Sequence, residues 1–304
     1  MSPRVFGALV RARRGSTQQS STEPVVTLVL VGTPIGNLAD LSPRAVEVLA
    51  AADLVVCEDT RRTGRLLQAA GISAKKLLAA HDHNEAAQIG TVLDRLRAGE
   101  TVAIVTDAGM PGISDPGERM VRAAAEAGIE VVVVPGPSAA VAALVISGLP
   151  TGRFVFEGFL PRSGSGRTER LAALVGEQRT VVLYEAPHRM ARTIADLAGA
   201  LGGDRRVAIG RELTKMHEEV WRGTLTDAVA HTTAVEPRGE HVIVVDGAPD
   251  LAPATDEQLT VAVLRMIDDG LSTRDAVAEV AQTYDVSKRR VYDLATAARG
   301  SAPS

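Results

Sequence analysis

Short polar segments that follow apolar runs are the part of this sequence best suited to chemistry. The run 102–105 leads into Thr106 and Asp107, and the loop that follows, 108–117, holds three glycines and two prolines. Glycine permits backbone angles that other residues avoid, whereas proline fixes its own φ angle. A loop that combines the two therefore has a defined shape. Such a loop lets its backbone approach a bound ligand closely.

Five further segments of similar composition occur along the chain. They are GTPIGN (32–37), CEDTRR (57–62), PGPSAA (135–140), YEAPHR (184–189) and RELTKMHEE (211–219). Most follow an apolar run that predicts a strand, and ligands of open parallel sheets bind at the carboxyl ends of strands. We therefore expect these segments to form one composite cleft.

Common motifs are absent from this cleft. GTPIGN does not match the dinucleotide pattern G-x-G-x-x-G, and the sequence has no Walker P-loop and no G-x-S-x-G nucleophile elbow. The single cysteine, Cys57, permits no intrachain disulfide and is interpreted as a buried structural thiol. HDHNE (81–85) has no further His or Cys at ligand spacing, so no metal is predicted there. It is interpreted as a loop facing the active site or RNA, or as a solvated turn.

Composition sets the broad class. The chain has 304 residues, 45% of them hydrophobic and 23% charged, which predicts a globular protein of about two domains and a small third piece. A net charge of −4 argues against nonspecific coating of nucleic acid but permits a local basic surface. No apolar run is long enough to span a membrane, and the cytoplasm is the expected compartment.

The elements that must position these segments alternate between strand and helix patterns. This alternation predicts an N-terminal α/β domain at 25–148, with four strands in a mostly parallel sheet, and a second α/β domain at 149–248. RSGSGR (162–167) is expected to be a flexible basic connector. Residues 256–299 form the outline of a helix-turn-helix tail, and residues 1–24 are expected to be a disordered extension.

Eight motifs in order resemble the ribosomal RNA small subunit methyltransferase I family, part of the tetrapyrrole methylase superfamily. They are TPIGNLADLSPRAVEVL, CEDTR, HNE, TDAGMPGISDPG, PGPSA with ALVISGL, FVFEGFLP, YEAPHR and RELTKMHEE. The resemblance covers about residues 25–247, and the tail is similar to the family's C-terminal helix-turn-helix. Met110 departs from it, since the family usually has Thr there, but this leaves the backbone plan of the loop intact.

The resemblance implies a fold class, an activity and partners. The fold would be α/β, with two α/β domains of the tetrapyrrole methylase type, the ligand cleft between them, and a small helical C-terminal tail. The family transfers a methyl group from S-adenosylmethionine (SAM) to the ribose 2′-hydroxyl of a cytidine in the 16S rRNA decoding centre. It implies a homodimer that acts on the 30S subunit, without a metal and without a membrane.

The resemblance also implies residue roles. The residues expected to line the SAM pocket are Pro34, Ile35, Asp107, Ala108, Gly109, Met110, Ile113, Ser114, Ser138, Ala139, Tyr184, Glu185, Ala186, Pro187, Leu213 and Thr214. The candidates for a general base are Glu58, Asp59, His81, Glu85 and Glu212, and the reaction could also proceed without one. Arg61 or Lys215 could hold an RNA phosphate.

Cationic residues near the loops are candidates for RNA contact. They are Arg61, Arg62, Arg65, Arg162, Arg167, Arg189, Lys288, Arg289 and Arg290. The tail either docks RNA or packs as an accessory bundle. The sequence disfavours two alternatives. A tetrapyrrole C-methyltransferase would not need HNE, YEAPHR or the helix-turn-helix, and a DNA-binding regulator with the α/β part as a sensor would not need so many polar loop motifs.

Overall fold

A computed structural model describes residues 27–73, 75–81, 83–249 and 254–300. The chain divides between Ala248 and Pro249 into two compact units. The expected N-terminal extension, 1–24, lies outside the described residues. Among the residues that are described, no helix combines the length and the apolar character needed to cross a bilayer.

The first sheet is entirely parallel and has the strand order β3-β2-β4-β1-β5. Its strands are β1 (Thr27–Val31), β2 (Leu54–Cys57), β3 (Lys76–Ala79), β4 (Val102–Ile104) and β5 (Glu130–Val134). The three inner strands are nearly fully buried, as expected for a sheet covered on both faces.

The helices of this half follow the capping signals of the sequence. They are α1 (Pro43–Ala51), α2 (Thr60–Ala69), α3 (Glu85–Arg97), α4 (Glu118–Glu126) and α5 (Ala139–Ile146). Ser42 is the N-cap of α1, and its hydroxyl accepts a hydrogen bond from the Ala45 amide at 3.1 Å. Gly71 and Gly99 follow α2 and α3 with positive φ angles of 69° and 85°.

Strand β3 is the element that the sequence pattern did not reveal, because the prediction had four strands where the structure has five. It is a four-residue edge strand, half-buried rather than buried, and it pairs only with β2. So short a run, preceded by lysine, carries little periodic signal. Its presence means that HDHNE also begins at the carboxyl end of a strand.

The second sheet is mixed and has the order β6-β7-β10-β8-β9. Its strands are β6 (Phe154–Phe159), β7 (Thr180–Glu185), β8 (Arg206–Arg211), β9 (Glu219–Thr224) and β10 (His241–Val245). Only β6 and β7 are parallel; the other pairs are antiparallel. The helices are α6 (Ser165–Leu174), α7 (Met190–Leu201) and α8 (Leu225–Ala234).

Helix α5 links the two sheets. Its residues Ala140, Ala143 and Leu144 pack in one core cluster with Val182 and Val244 of the second sheet. Both sheets therefore belong to one compact unit. They fall within 25–148 and 149–248, and those two ranges stay our proposal for the domain boundaries.

The prediction of a flexible connector at 162–167 is wrong at its C-terminal end. Helix α6 begins at Ser165, and Arg167 is only 4% exposed. Its guanidinium donates to Asp196 at 2.8 Å and to Thr193 at 3.0 Å. Arg167 is therefore part of the core of this half and is not available to RNA.

The tail unit consists of α9 (Asp256–Asp268), α10 (Thr273–Thr283) and α11 (Lys288–Gly300). Leu259, Val263, Val280 and Val291 are fully buried in its own apolar core. The predicted turn between α10 and α11 is present, with Asp285 at a φ of 50°. The outline of a helix-turn-helix is thus confirmed.

Candidate active site

A cavity of about 360 Å³ lies between the loops of the first sheet and the second sheet. It is lined by Ile35, Glu58, Arg62, Asp107, Ala108, Gly109, Met110, Ile113, Ser114, Asp115, Ser138, Ala139, Phe159, Tyr184, Glu185, Ala186, Pro187, Leu213, Glu240, His241 and Val242. The volume is within the usual range for a small-molecule site. The expected composite cleft is therefore present, and fourteen of the sixteen residues expected in the SAM pocket line it.

The glycine-rich loop is anchored to the end of β1. The backbone of Thr33 and that of Gly109 exchange two hydrogen bonds, at 2.9 and 3.2 Å, and Gly109 has a φ of 87°. The Thr33 hydroxyl also donates to the carbonyl of Thr106 at 3.1 Å. A Cβ on Gly32 would lie 2.6 Å from the Cα of Gly136, so only glycine permits this close approach of two strand ends.

Glu85 fixes the far end of the same loop. The residue is only 3% exposed, and its Oε1 accepts hydrogen bonds from the amides of Gly117 at 3.0 Å and Met120 at 3.2 Å. Gly117 precedes α4 and has no side chain to cap it. Glu85 thus satisfies the free amides at the start of α4, and this candidate base lies outside the cavity lining.

Two carboxylates, Glu58 and Asp107, line one side of the cavity. Asp107 forms an ion pair with Arg62 at 3.2 Å and accepts the amide of Asp59 at 3.3 Å. Burial raises the pKa of Asp107, and the charge of Arg62 opposes that rise. The Thr106 hydroxyl approaches a Glu58 oxygen at 3.5 Å.

Asp59 and Arg61 stand just outside this group. The Asp59 carboxylate caps α2 by accepting the Arg61 amide at 2.7 Å, and it pairs with the Arg61 guanidinium at 3.2 Å. Hydrogen bonding from the Arg61 side chain lowers the pKa of Asp59. Both residues are absent from the lining, and the Arg61 side chain, although paired with Asp59, is 83% exposed.

The opposite wall comes from the end of β7. The Tyr184 hydroxyl accepts the amide of Ala140 at 3.2 Å, which ties this wall to the start of α5, and burial raises the pKa of Tyr184. The Glu185 carboxylate is fully buried and accepts from Thr193 at 2.6 Å and from the Ala186 amide at 2.8 Å. Arg189 pairs with it at 3.1 Å, so the cation expected to contact RNA here holds the wall instead.

The turn after β8 closes the cavity at Leu213. Glu212 and Thr214, on either side of it, have positive φ angles of 49° and 65°. Lys215 braces the turn, because its Nζ lies 2.9 Å from Glu212 and 2.8 Å from Glu240. Strain held in this way is typical of functional sites.

Several predicted site residues lie near the cavity without lining it. The structure places Pro34, Asp59, Arg61, Glu85, Glu212, Thr214 and Lys215 outside the lining. Thr214 nevertheless joins the two halves, since its hydroxyl accepts the amide of Asn37 at 3.0 Å. Glu212 and Lys215 act on the cavity through the turn rather than by direct contact.

Five lining residues were not predicted: Asp115, Phe159, Glu240, His241 and Val242. Phe159 lies within the motif FVFEGFLP (154–161) and could have been inferred from it. Glu240, His241 and Val242 lie at the start of β10. They could not be predicted without the strand order, because they reach the cavity only through the position of β10 between β7 and β8. Burial lowers the pKa of His241, whose Nδ1 has no hydrogen-bond partner.

The chemistry of the lining favours a ligand that is partly apolar and partly cationic. Apolar side chains cover most of the wall, and no lysine is among the lining residues. The one arginine there, Arg62, is already paired with Asp107. This set is poorly suited to a polyphosphate, which needs unpaired cations. In the described part of the chain, no three His, Cys, Asp or Glu side chains are grouped to hold a metal ion.

Comparison with known proteins gives two family matches. Residues 27–229 match the family described as Tetrapyrrole (Corrin/Porphyrin) Methylases, and residues 253–299 match the RsmI C-terminal HTH domain. A relative from Synechocystis, named ribosomal RNA small subunit methyltransferase I, is 46% identical over 88% of this chain and 96% of its own. A relative of the same name from Mycobacterium tuberculosis is 44% identical over 90% of this chain and 95% of its own.

The solved structure of a cobalamin biosynthetic enzyme, cobalt precorrin-4 methyltransferase, shares the fold. It superimposes with a TM-score of 0.56 at 21% identity, over 74% of this chain and 98% of its own. At that identity the likeness concerns the fold alone.

Proposed function

Because this chain belongs to the ribosomal RNA small subunit methyltransferase I family within the tetrapyrrole methylases, we propose that it methylates the ribose 2′-hydroxyl of a cytidine in 16S rRNA. Its membership in that family makes it a SAM-dependent rRNA methyltransferase. The proposal adds the position of the methyl group, the cytidine in the decoding centre, and the assembled 30S subunit as substrate.

The observation that carries the proposal is the cavity, whose lining suits SAM. SAM combines an apolar adenine with a sulfonium and an ammonium cation, and it supplies an electrophilic methyl group. We assign the wall against the apolar adenine to Ile35, Leu213 and Val242, and the carboxylate that faces the cationic groups of SAM to Asp107. The backbone of the glycine-rich loop, fixed by Thr33, offers further hydrogen-bonding groups.

The chain must align a weak nucleophile, since a ribose hydroxyl ionises only at high pH. Positioning of the two reactants therefore supplies much of the rate. Of the five candidates for a general base, Glu58 alone lines the cavity. We propose Glu58 for that role, which typically adds roughly two to four powers of ten. The exposed guanidinium of Arg61 is proposed to meet an RNA phosphate beside the cavity.

We further propose that the protein is a homodimer through the first half of the chain. Helix α5 exposes Val141 (49%) and Val145 (62%), and the edge strand β5 exposes Val133 (51%). Exposed aliphatic groups of this kind are common at interfaces between subunits. Val145→Glu should shift the sedimentation mass from dimer to monomer. Val261→Glu, an equally exposed valine in the tail (62%), should not. A monomeric wild type would refute the dimer.

The activity is tested with purified protein, labelled SAM and 30S subunits from cells that lack this methylation. We expect label in 16S rRNA from 30S subunits, and little or none in free nucleosides. Calorimetry with SAM is the control for a functional cavity. SAM binding without label in 16S rRNA would refute the proposed substrate.

A further inference from the structure

Helices α10 and α11 of the tail enclose a shallow groove with cationic side chains and an aromatic ring. Its lining residues are Thr273, Arg274, Asp275, Val277, Ala278, Lys288, Arg289, Tyr292, Ala295 and Thr296. The members from α11 recur at helical spacing, so they share one face of that helix. We call this surface the tail groove.

The cations of the tail groove are available to a ligand. Among the described residues, Arg274 and Lys288 form no ion pair. Arg289 is 93% exposed, and its one ion pair is a long contact of 4.0 Å with Asp293. The only carboxylate of the lining, Asp275, accepts a hydrogen bond from the Ser272 hydroxyl at 2.6 Å. The lining of the tail groove thus holds three cations and one carboxylate, and that carboxylate is already hydrogen-bonded to Ser272.

The neighbouring Arg290 shows what a structural cation looks like in this unit. Its guanidinium binds the Asp256 carboxylate at 2.6 Å and donates to the carbonyl of Ala254 at 3.0 Å. It thus fastens α11 to the start of α9 and does not line the tail groove. Within the basic run 288–290, Lys288 and Arg289 therefore line the tail groove, whereas Arg290 stabilises the packing of α11 on α9. The sequence alone could not show this difference.

Tyr292 adds a second, independent feature. The residue is 54% exposed although its helix has a well-formed apolar core on the opposite face. It lies one helical turn after Lys288, so the ring stands beside the groove's cations. An exposed ring next to cations is the arrangement on which proteins stack unpaired nucleic-acid bases.

We propose that the tail groove binds a single-stranded or looped segment of the RNA substrate, with the cations on phosphates and Tyr292 against a base. This inference rests on the proposed function for the identity of the nucleic acid. A single strand fits better than a duplex, because the deep and narrow major groove of A-form RNA does not admit a helix. An acidic protein would satisfy the cations but would give the exposed ring no base to stack on.

The test uses the full chain and fluorescence anisotropy with a labelled 20-nucleotide single strand, at several salt concentrations. The variant Arg274→Gln/Lys288→Gln/Arg289→Gln should bind more weakly. Its slope of log affinity against log salt should fall by about 2, since each phosphate contact on a single strand contributes about 0.7. Tyr292→Ala should weaken binding about 5- to 150-fold, and Tyr292→Phe should bind like the wild type.

Two controls keep the outcomes separate. Arg265→Gln removes an exposed cation of α9 outside the tail groove and should leave affinity and salt slope unchanged. SAM binding should be unchanged in every variant. The inference is overturned if the wild type does not bind the strand or if the triple variant behaves like Arg265→Gln. It is also overturned if polyglutamate of equal charge competes as well as RNA does. Binding through the groove without rRNA methylation would instead refute the proposed function.

Discussion

Replacing Asp107 by Asn should separate ligand binding from folding. The carboxylate lines the cavity, and burial has raised its pKa, so its charge is held there at a cost to the ligand-free protein. Asn keeps the shape and removes the charge. We expect SAM affinity to fall while the free energy of unfolding at neutral pH stays the same or rises.

The size of the effect follows from the interaction removed. A hydrogen bond to a charged group contributes about 1.5–3 kcal/mol, which corresponds to roughly a 10- to 150-fold weaker dissociation constant. The loss of the ion pair with Arg62 should matter little, because the Arg62 side chain is 65% exposed and solvent screens it.

The pH dependence of Asp107 has opposite signs for folding and for binding. With a raised folded-state pKa, this carboxyl favours folding at low pH, and that contribution is lost as pH rises through the raised pKa. SAM binding requires the ionised form, so wild-type affinity should fall as pH is lowered through the same pKa. In Asp107→Asn this decline should be absent.

Isothermal titration calorimetry with SAM, together with urea denaturation, measures both quantities. Asp59→Asn is the matched control: it removes the same charge next to the cavity, and Asn caps α2 as well as Asp does. Its SAM affinity should stay within about twofold of wild type. Equal affinities for Asp107→Asn and wild type would show that the SAM site has been placed wrongly.

Three further substitutions test how the cavity is held. Glu85→Ala should lower the free energy of unfolding by about 1–3 kcal/mol, and Glu85→Gln, which keeps an acceptor, by less. A loss of kcat in Glu85→Gln at full stability would instead make this residue a base. Gly32→Ala should cost about 1–3 kcal/mol in denaturant titrations because the strand ends must separate, whereas Gly90→Ala, with nothing within 4 Å, should be neutral or stabilising. Equal effects of the two would refute the close approach. Glu185→Ala should destabilise by about 3–5 kcal/mol, a decrease in Tm of roughly 6–20 °C by calorimetry, because it leaves the half-buried Arg189 without its carboxylate partner. An unchanged Tm would contradict that role.

The walls of the cavity were largely predictable from the sequence, because strand ends marked by glycine, proline and polar residues converge in a parallel sheet. The glycine-rich loop illustrates this, since its position after β4 and its need for glycine both follow from local pattern. The part that could not be predicted depends on which strands are neighbours. His241 and Val242 reach the cavity only because β10 is inserted between β7 and β8.

The roles of charged residues were the least predictable feature. The residue types suggested a catalytic role for Glu85 and RNA contact for Arg167 and Arg189. In the structure each is buried or half-buried and is bonded to the backbone or to another side chain. A sequence gives the charge of a side chain but not its burial. A charged side chain that is buried among several hydrogen-bonding partners stabilises the fold and is not available to a substrate.

The chemical position of the methyl group tests the central claim most directly. After reaction with 30S subunits, 16S rRNA is digested to nucleosides and analysed by mass spectrometry. We predict 2′-O-methylcytidine at one site, formed by the wild type and strongly reduced in Glu58→Gln. A methyl group on a base, or on the ribose of a different nucleoside, would contradict the account.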